Sequence, residues 1–360
     1  MAVVINGASG NISGVTDVQD TGSQSVLGRR NLIINGAMQV AQRGTSFSSN
    51  GYTLDRFSSY ASGGSLVRSV TQSSTAPSGF SSSLKIVATT AEPDFTGTEY
   101  AIIRHPIEAQ NLQQLDYGAS GANSVTLSFW VRSNVTGDYA ITMYQDDASK
   151  IIGSTYTISS ADTWEQKTIT FVGNTADVIA NDNGTGLRLD WSLAAGSDRT
   201  TTDNTSWGAS ATGNQAYGHT AQWGEATNDE WYITGVQLEV GSVATPFEHR
   251  SYGEELALCQ RYYRVLGMGL QGDVAGSTFF ELSTTFDIEM RSSPSVTLLT
   301  STPTITEIGA GGRTGSGSAI AGSDLSANGI AVTINGFTSM TVSNGVYSTT
   351  TSFISCSAEL

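Results

Sequence analysis

At 360 residues the chain is long enough for two or three domains with cores of ordinary size. Its 40 glycines against 6 prolines, abundant serine and threonine and only 14% charged residues describe β-structure of the extracellular kind and exclude a helical cytosolic enzyme or a disordered tail. The balance of 17 basic and 32 acidic residues gives −15, with no basic run longer than Arg29-Arg30, which argues against nucleic acid as a partner.

No apolar run approaches the ~20 residues a membrane span needs. The opening MAVVINGASG has neither a basic leader nor the apolar core of a secretory signal. A chain that does not insert in a membrane and is not sent out by the usual signal is expected. Two cysteines, Cys259 and Cys356, give no disulfide framework, and His105, His219 and His249 lie far apart without metal-ligand spacing. No cofactor and no metal are assigned.

Residues 1–28 contain no aromatic side chain and nothing that can build a core. Val3, Val4, Ile5, Ile12 and Val15 are nevertheless more apolar than a solvated tail requires. The segment 1–29 therefore reads as a docking arm that gains order by strand addition to another chain, the alternative being a flexible terminus.

From Arg30 the texture changes. NLIINGAMQVAQRGTSFSSNGYTLDRFSSY offers a β-run, a turn at Asn35-Gly36, a second run, a serine-rich loop and then a segment whose Leu54 and Phe57 can enter a core. Strands follow at SLVRSVTQ, SSLKIVAT, YAIIRHPIE, SVTLSFWVRS, DYAITMYQDD, WEQKTITFVG, GLRLDWSLA and WYITGVQLEV. Leu127, Phe129 and Val131 share one face and Trp130 takes the other, so that strand has apolar contacts on both sides. Eight such strands without a fixed repeat, across residues 30–250, predict an all-β fold with a two-sheet jelly roll.

Within it, residues 197–230 form a polar connection of more than thirty residues that carries Trp207, Tyr217 and Trp223. Such rings either stack sugar rings or tuck the loop onto its own sheet, and packing is the preferred reading. For sugar contact the residues named are Trp207, Tyr217 and Trp223, with Asn214 and Gln222 as hydroxyl partners.

SYGEELALCQRYYRVLG, residues 251–267, is the one convincing helix. Ser251 with Glu254 makes a capping box and Gly267 a stop. Tyr252, Leu256, Cys259, Tyr263 and Leu266 recur at 3.5-residue spacing on average, the seam of a coiled coil. Residues 268–360 then read as a second, smaller β-sandwich, with strands at STFFELSTTF, PSVTLLT, GIAVTINGFTSMTVS and TTTSFISCSAEL. The 309–318 loop GAGGRTGSGS must be mobile or pinned by a partner.

RRNLIINGAMQVAQRGTSFSSNGYTLDRF resembles the opening of the carbohydrate-binding-module-like domain of tail fibres and other receptor-facing proteins of marine and cyanobacterial phages. WYITGVQLEVGSVATPFEHRSYGEELALCQRYYRVL resembles the phrase that closes that domain, FDIEMRSSPSVTL and the AEL ending are similar to its C-terminal part, and MAVVINGASGNISGV is similar to the virion-attachment start of such fibres. The resemblance implies a homotrimeric virion protein attached through its N-terminal arm to other virion proteins and contacting host surface polysaccharide. On that implication the helix seam would bury against two further copies; the other reading lays the helix on its own jelly roll. A capsid decoration fibre and a glycan depolymerase are the alternatives. The second lacks any recognisable pair of catalytic carboxylates, so a non-enzymatic role is expected.

Overall fold

Period-two alternation between residues 58 and 240 becomes two antiparallel sheets packed face to face. The computed structural model describes residues 29–267, 270–316, 318–350 and 352–360, and the backbone of two short strands, Val4–Asn6 and Asn11–Ser13. Those two pair antiparallel with each other, Ile5 opposite Ile12. Val3 and Val15, and the side chains of Val4, Ile5 and Ile12, lie outside the described residues.

The seven-stranded sheet runs in the order Gly208–Ala209, Lys150–Ile158, Gly137–Gln145, Thr185–Ala195, Tyr100–Glu108, Ser58–Ser62, Gly51–Tyr52. The six-stranded sheet runs Glu165–Phe171, Val125–Ser133, Glu230–Val240, Ser83–Thr90, Val67–Ser73, Ser46–Phe47. All eight strands expected between residues 65 and 240 are present. Leu127, Phe129 and Val131 are fully buried and meet Leu187, Leu189 and Trp191 of the other sheet, with Phe129 and Trp191 edge to face at 6.0 Å. Each ring or branched chain so buried contributes roughly 1.5–3 kcal/mol. The strand Lys150–Ile158 escaped the pattern because Gly153 interrupts it. A Cβ there would lie 2.2 Å from the Asn204 amide nitrogen, and the Gly153 amide donates to the Asn204 carbonyl at 2.7 Å.

Three local expectations need correction. Asn35-Gly36 does make a turn, closed by the Met38 amide donating to the Asn35 carbonyl at 2.9 Å, but it does not join two strands. The Asn35 side chain instead accepts from the Val40 amide and donates to the Val40 and Asp55 carbonyls, so it ties a closed loop. The helix covers Tyr252–Gln260 rather than 251–267, although its capping box is formed on both sides by Ser251 and Glu254. Tyr263–Leu266 is a strand instead, paired with Ile354–Ser357, because a ladder partner outcompetes one more helical turn in a Tyr-Arg-Val sequence. Tyr252, Leu256, Cys259, Tyr263 and Leu266 therefore share no helix face. Cys259 is fully buried with Tyr262, Ile34 and Val40 of its own chain, which is the alternative arrangement of a helix lying on its own sandwich. Finally, the glycine-rich 309–318 segment is pinned internally: Gly311–Thr314 pairs with Thr304–Glu307, and Arg313 donates to Glu307 at 2.9 Å.

The C-terminal region has its own core around Phe280, Phe337, Phe353 and Cys356, between a three-stranded sheet and a seven-stranded one. It is fastened to the first sandwich by charge. Leu54, Asp55, Arg56 and Phe57 are all buried, and Glu359 pairs with both Arg56 and Arg43. At the end of the Tyr100–Glu108 strand, Glu108 accepts from Arg261 Nε and Nη2 and from the Tyr262 hydroxyl.

Candidate functional site

The strands Tyr100–Glu108, Gly137–Gln145 and Thr185–Ala195 turn alternate side chains away from the core, and three arginines meet there. Leu187, Leu189, Trp191 and Leu193 point inward, which leaves Arg188, Asp190 and Ser192 on the outer face. Arg104 lies opposite Asp190 in the ladder, and its Nε and Nη2 donate to the two carboxylate oxygens at 2.7 Å each. Arg188 lies opposite Tyr144 and donates from Nη1 to Asp146 at 2.7 Å. Arg199 comes from the 197–230 connection, donating from Nε to the Thr98 carbonyl at 2.7 Å and from Nη1 to Gln215.

Each guanidinium is stacked on a tyrosine. The separations are 4.0 Å for Arg188 on Tyr144, 4.1 Å for Arg199 on Tyr100 and 5.3 Å for Arg104 on Tyr60. Such stacking holds a planar fork of donors in place and lowers the entropy lost when a ligand engages it. Between them is a cavity of about 210 Å³ whose walls include Tyr100, Ile102, Arg104, Arg188, Asp190 and Arg199.

The electrostatics follow from partial burial. Burial opposes the charge on Arg104, but the Asp190 carboxylate outweighs it and the guanidinium is held above the usual arginine range. Burial pulls Arg199 below that range, with Tyr100, Tyr144 and Asp190 opposing. Burial pushes the Tyr144 phenol up to about 12, so it stays a neutral donor. Asp146 is raised by burial, which the Arg188 charge resists. Both Asp190 oxygens are occupied by Arg104, which makes it an orienting group and not a free acid. The arrangement is a rigid array of N–H donors beside the apolar edge of Ile102, suited to a ligand rich in oxygen acceptors.

The residues named from sequence for sugar contact are scattered. Trp223 has 0% exposure and belongs to the sandwich core, so it offers no face to a ligand. Trp207 is half-buried against Tyr117, with its Nε1 donating to the Val172 carbonyl at 2.7 Å. Asn214 is buried and spends its amide on its own loop, donating to the Ala209 carbonyl. Tyr217 is 37% exposed and Gln222 is exposed, but neither lines the cavity. The connection reaches the cavity through Arg199, Gln215 and Ala216 instead. Tyr100, Arg104, Tyr144, Arg188 and Asp190 were passed over, although YAIIRHPIE and GLRLDWSLA show the signal: charged residues at the non-core positions of central strands.

Trp223→Phe is expected to lower stability by on the order of 1–2 kcal/mol through lost packing while leaving ligand affinity unchanged. Urea unfolding and a binding isotherm on the same sample measure the two effects.

No family model matches the chain, and no curated protein matches it. Solved structures similar to it include the enzymatically active domain of tailspike protein 4 of bacteriophage CBA120, at 12% identity and a TM-score of 0.33 over 58% of this chain and 21% of that one. Another is a putative sugar binding protein from Bacteroides thetaiotaomicron VPI-5482, at 10% identity and a TM-score of 0.32 over 59% of this chain and 100% of that one. A third is the family 11 carbohydrate-binding module from Clostridium thermocellum in complex with a β-1,3-1,4-mixed-linked tetrasaccharide, at 8% identity and a TM-score of 0.28 over 56% and 99%. This chain therefore spans about a fifth of the tailspike chain's length.

Proposed function

We propose that the chain is a non-catalytic glycan-contacting structural protein that receives a saccharide in the cleft between Tyr100, Arg104, Arg188 and Arg199. The observation that carries this reading is the set of three arginines stacked on tyrosines around one solvent-open cavity on a sheet face. Saccharides present many oxygen acceptors at fixed angles, and a stacked guanidinium meets them without first being ordered. A non-enzymatic role is supported by the cleft lining: Asp190, the carboxylate among the lining residues, has both oxygens bound by Arg104 and no second carboxylate beside it in that lining to work as its catalytic pair.

The resemblance of the opening, closing and terminal phrases supports a place in a phage virion, as a tail fibre held by its N-terminal arm and facing host polysaccharide. Homotrimeric assembly is carried by that resemblance alone. Of the five seam residues, Tyr252 is 57% exposed, Leu256 and Leu266 are half-buried, and Cys259 and Tyr263 are buried.

Screening the full chain on a glycan array, followed by calorimetry on the hits, tests the reading. Tyr100→Ala removes the support under Arg199 and is expected to weaken binding about fivefold, the equivalent of roughly 1 kcal/mol. No binding to any glycan, or release of reducing ends from a bound polysaccharide, would overturn the proposal.

A further inference from the structure

The cleft is electrostatically incomplete. Arg104 is neutralised by Asp190, and Arg188 by Asp146. Among the described residues no carboxylate lies within ion-pair distance of Arg199, whose partners are a carbonyl and the Gln215 amide oxygen. Arg188 Nε is buried without a hydrogen-bond partner, 3.7 Å from an Asp190 oxygen that Arg104 already occupies. Two donor groups of one cavity thus lack an anionic acceptor, in a protein that carries −15 overall and has acid in excess nearly two to one. A half-buried cation without a counter-charge is stabilised most by a compact planar anion, and the fork of a guanidinium matches a carboxylate in two parallel hydrogen bonds.

We propose that the cleft selects a carboxylated sugar, a uronic-acid unit of an acidic polysaccharide, with its carboxylate on Arg199 and its ring hydroxyls toward Arg188 and Asp190. This rests on the glycan-contacting reading above and specifies its ligand class. The negative surface of the protein repels a long polyanion, but at physiological ionic strength the Debye length of about 8 Å confines that repulsion, so the short-range contact with Arg199 decides.

The test titrates the full chain with uronate oligosaccharides, with the same oligosaccharides methyl-esterified so that only the charge is lost, and with a sulfated oligosaccharide of equal length. The free acid is expected to bind about tenfold more tightly than its ester, the difference between a charge-assisted and a neutral hydrogen bond. In Arg199→Gln that ratio falls toward one, and in Arg199→Lys it is intermediate because charge is kept and the fork is lost. Thermal melting of each variant confirms folding. Equal affinity for acid and ester, or an unchanged ratio in a folded Arg199→Gln, overturns the carboxylate assignment and leaves the glycan reading standing. Preference for the sulfated oligosaccharide overturns it in favour of another anion. Binding to none of the three, together with a blank glycan array, overturns both.

Discussion

Glu359→Ala is expected to cost about 3–5 kcal/mol of folding stability, because it strands a buried charge. Arg56 sits in the turn closed by the Phe57 amide donating to the Leu54 carbonyl, with a left-handed φ of 67°. Its side chain is 1% exposed, stacked 3.6 Å over the Tyr262 ring, and its Nη2 donates to the Pro106 carbonyl at 2.8 Å. Burial works against this charge, and the Glu359 carboxylate outweighs it, holding the guanidinium above the usual arginine range. The same carboxylate accepts from Arg43 at 2.9 Å, and Arg43 lies 3.6 Å over the Tyr263 ring. With the carboxylate gone, Arg56 keeps a ring and a carbonyl and no counter-charge. Urea unfolding of the variant against the parent measures the cost, and a loss below about 1 kcal/mol would show that water reaches Arg56 freely. Arg43→Ala, which leaves the Arg56–Glu359 pair in place, is expected to cost much less.

Acidification from pH 7 to pH 5 is expected to remove about 2 kcal/mol through His105 alone. His105 is fully buried edge-on to Phe57, its Nε2 bonded to the Ile34 carbonyl at 3.1 Å, and its Nδ1 has no partner. Burial first, and then the neighbouring Arg56 charge, lower its pKa to about 3. The sign follows directly. Between pH 6.5 and 3 the unfolded chain binds a proton that the folded chain refuses, so stability falls as pH falls through this window and is fully present above about 6.5. His219 adds a smaller loss in the same direction. Burial lowers it to about 4, and its Nδ1 accepts from the Ala140 amide at 3.2 Å, a bond that protonation breaks, but the residue keeps partial contact with water. Asp55 works the other way, since burial raises its pKa, and its effect falls in the more acid carboxylate range. Unfolding midpoints at pH 7, 6 and 5 isolate the histidines. A flat profile would mean that His105 finds a partner for its second nitrogen.

What was legible in the sequence depended on how far away the deciding contact lay. Eight of the strands between residues 65 and 240 announce themselves locally, because a half-buried strand repeats every two residues whatever its neighbour, whereas Lys150–Ile158, interrupted by Gly153, does not. The cap of the helix was equally local, and Ser251 and Glu254 bond as their spacing implies. Its end was not. Tyr263–Leu266 becomes a strand because of Ile354–Ser357, ninety-odd residues downstream, and nothing between residues 251 and 267 records that partner. The candidate cleft was obscured for a different reason. Aromatic rings in a polar loop draw the eye toward Trp207 and Trp223, yet a tryptophan is the side chain a small sandwich can least leave in water, and Trp223 goes wholly inside. The cleft is built from the alternate positions of strands already identified, where Arg104, Arg188 and Asp190 read as ordinary solvated charges until the ladder sets them side by side.

The strand Tyr100–Glu108 carries cleft residues at its beginning and the acceptor for Arg261 and Tyr262 at its end. At the usual rise for a strand, these two ends are about 26 Å apart. Tension applied to the distal unit thus enters the sandwich partly along this segment, beside the path through Glu359, and loads the hydrogen bonds to both flanking strands in shear. The joint would transmit torque where a flexible spacer would absorb it, and a saccharide gripped at one end of that segment would be pulled on by whatever the other end is fastened to.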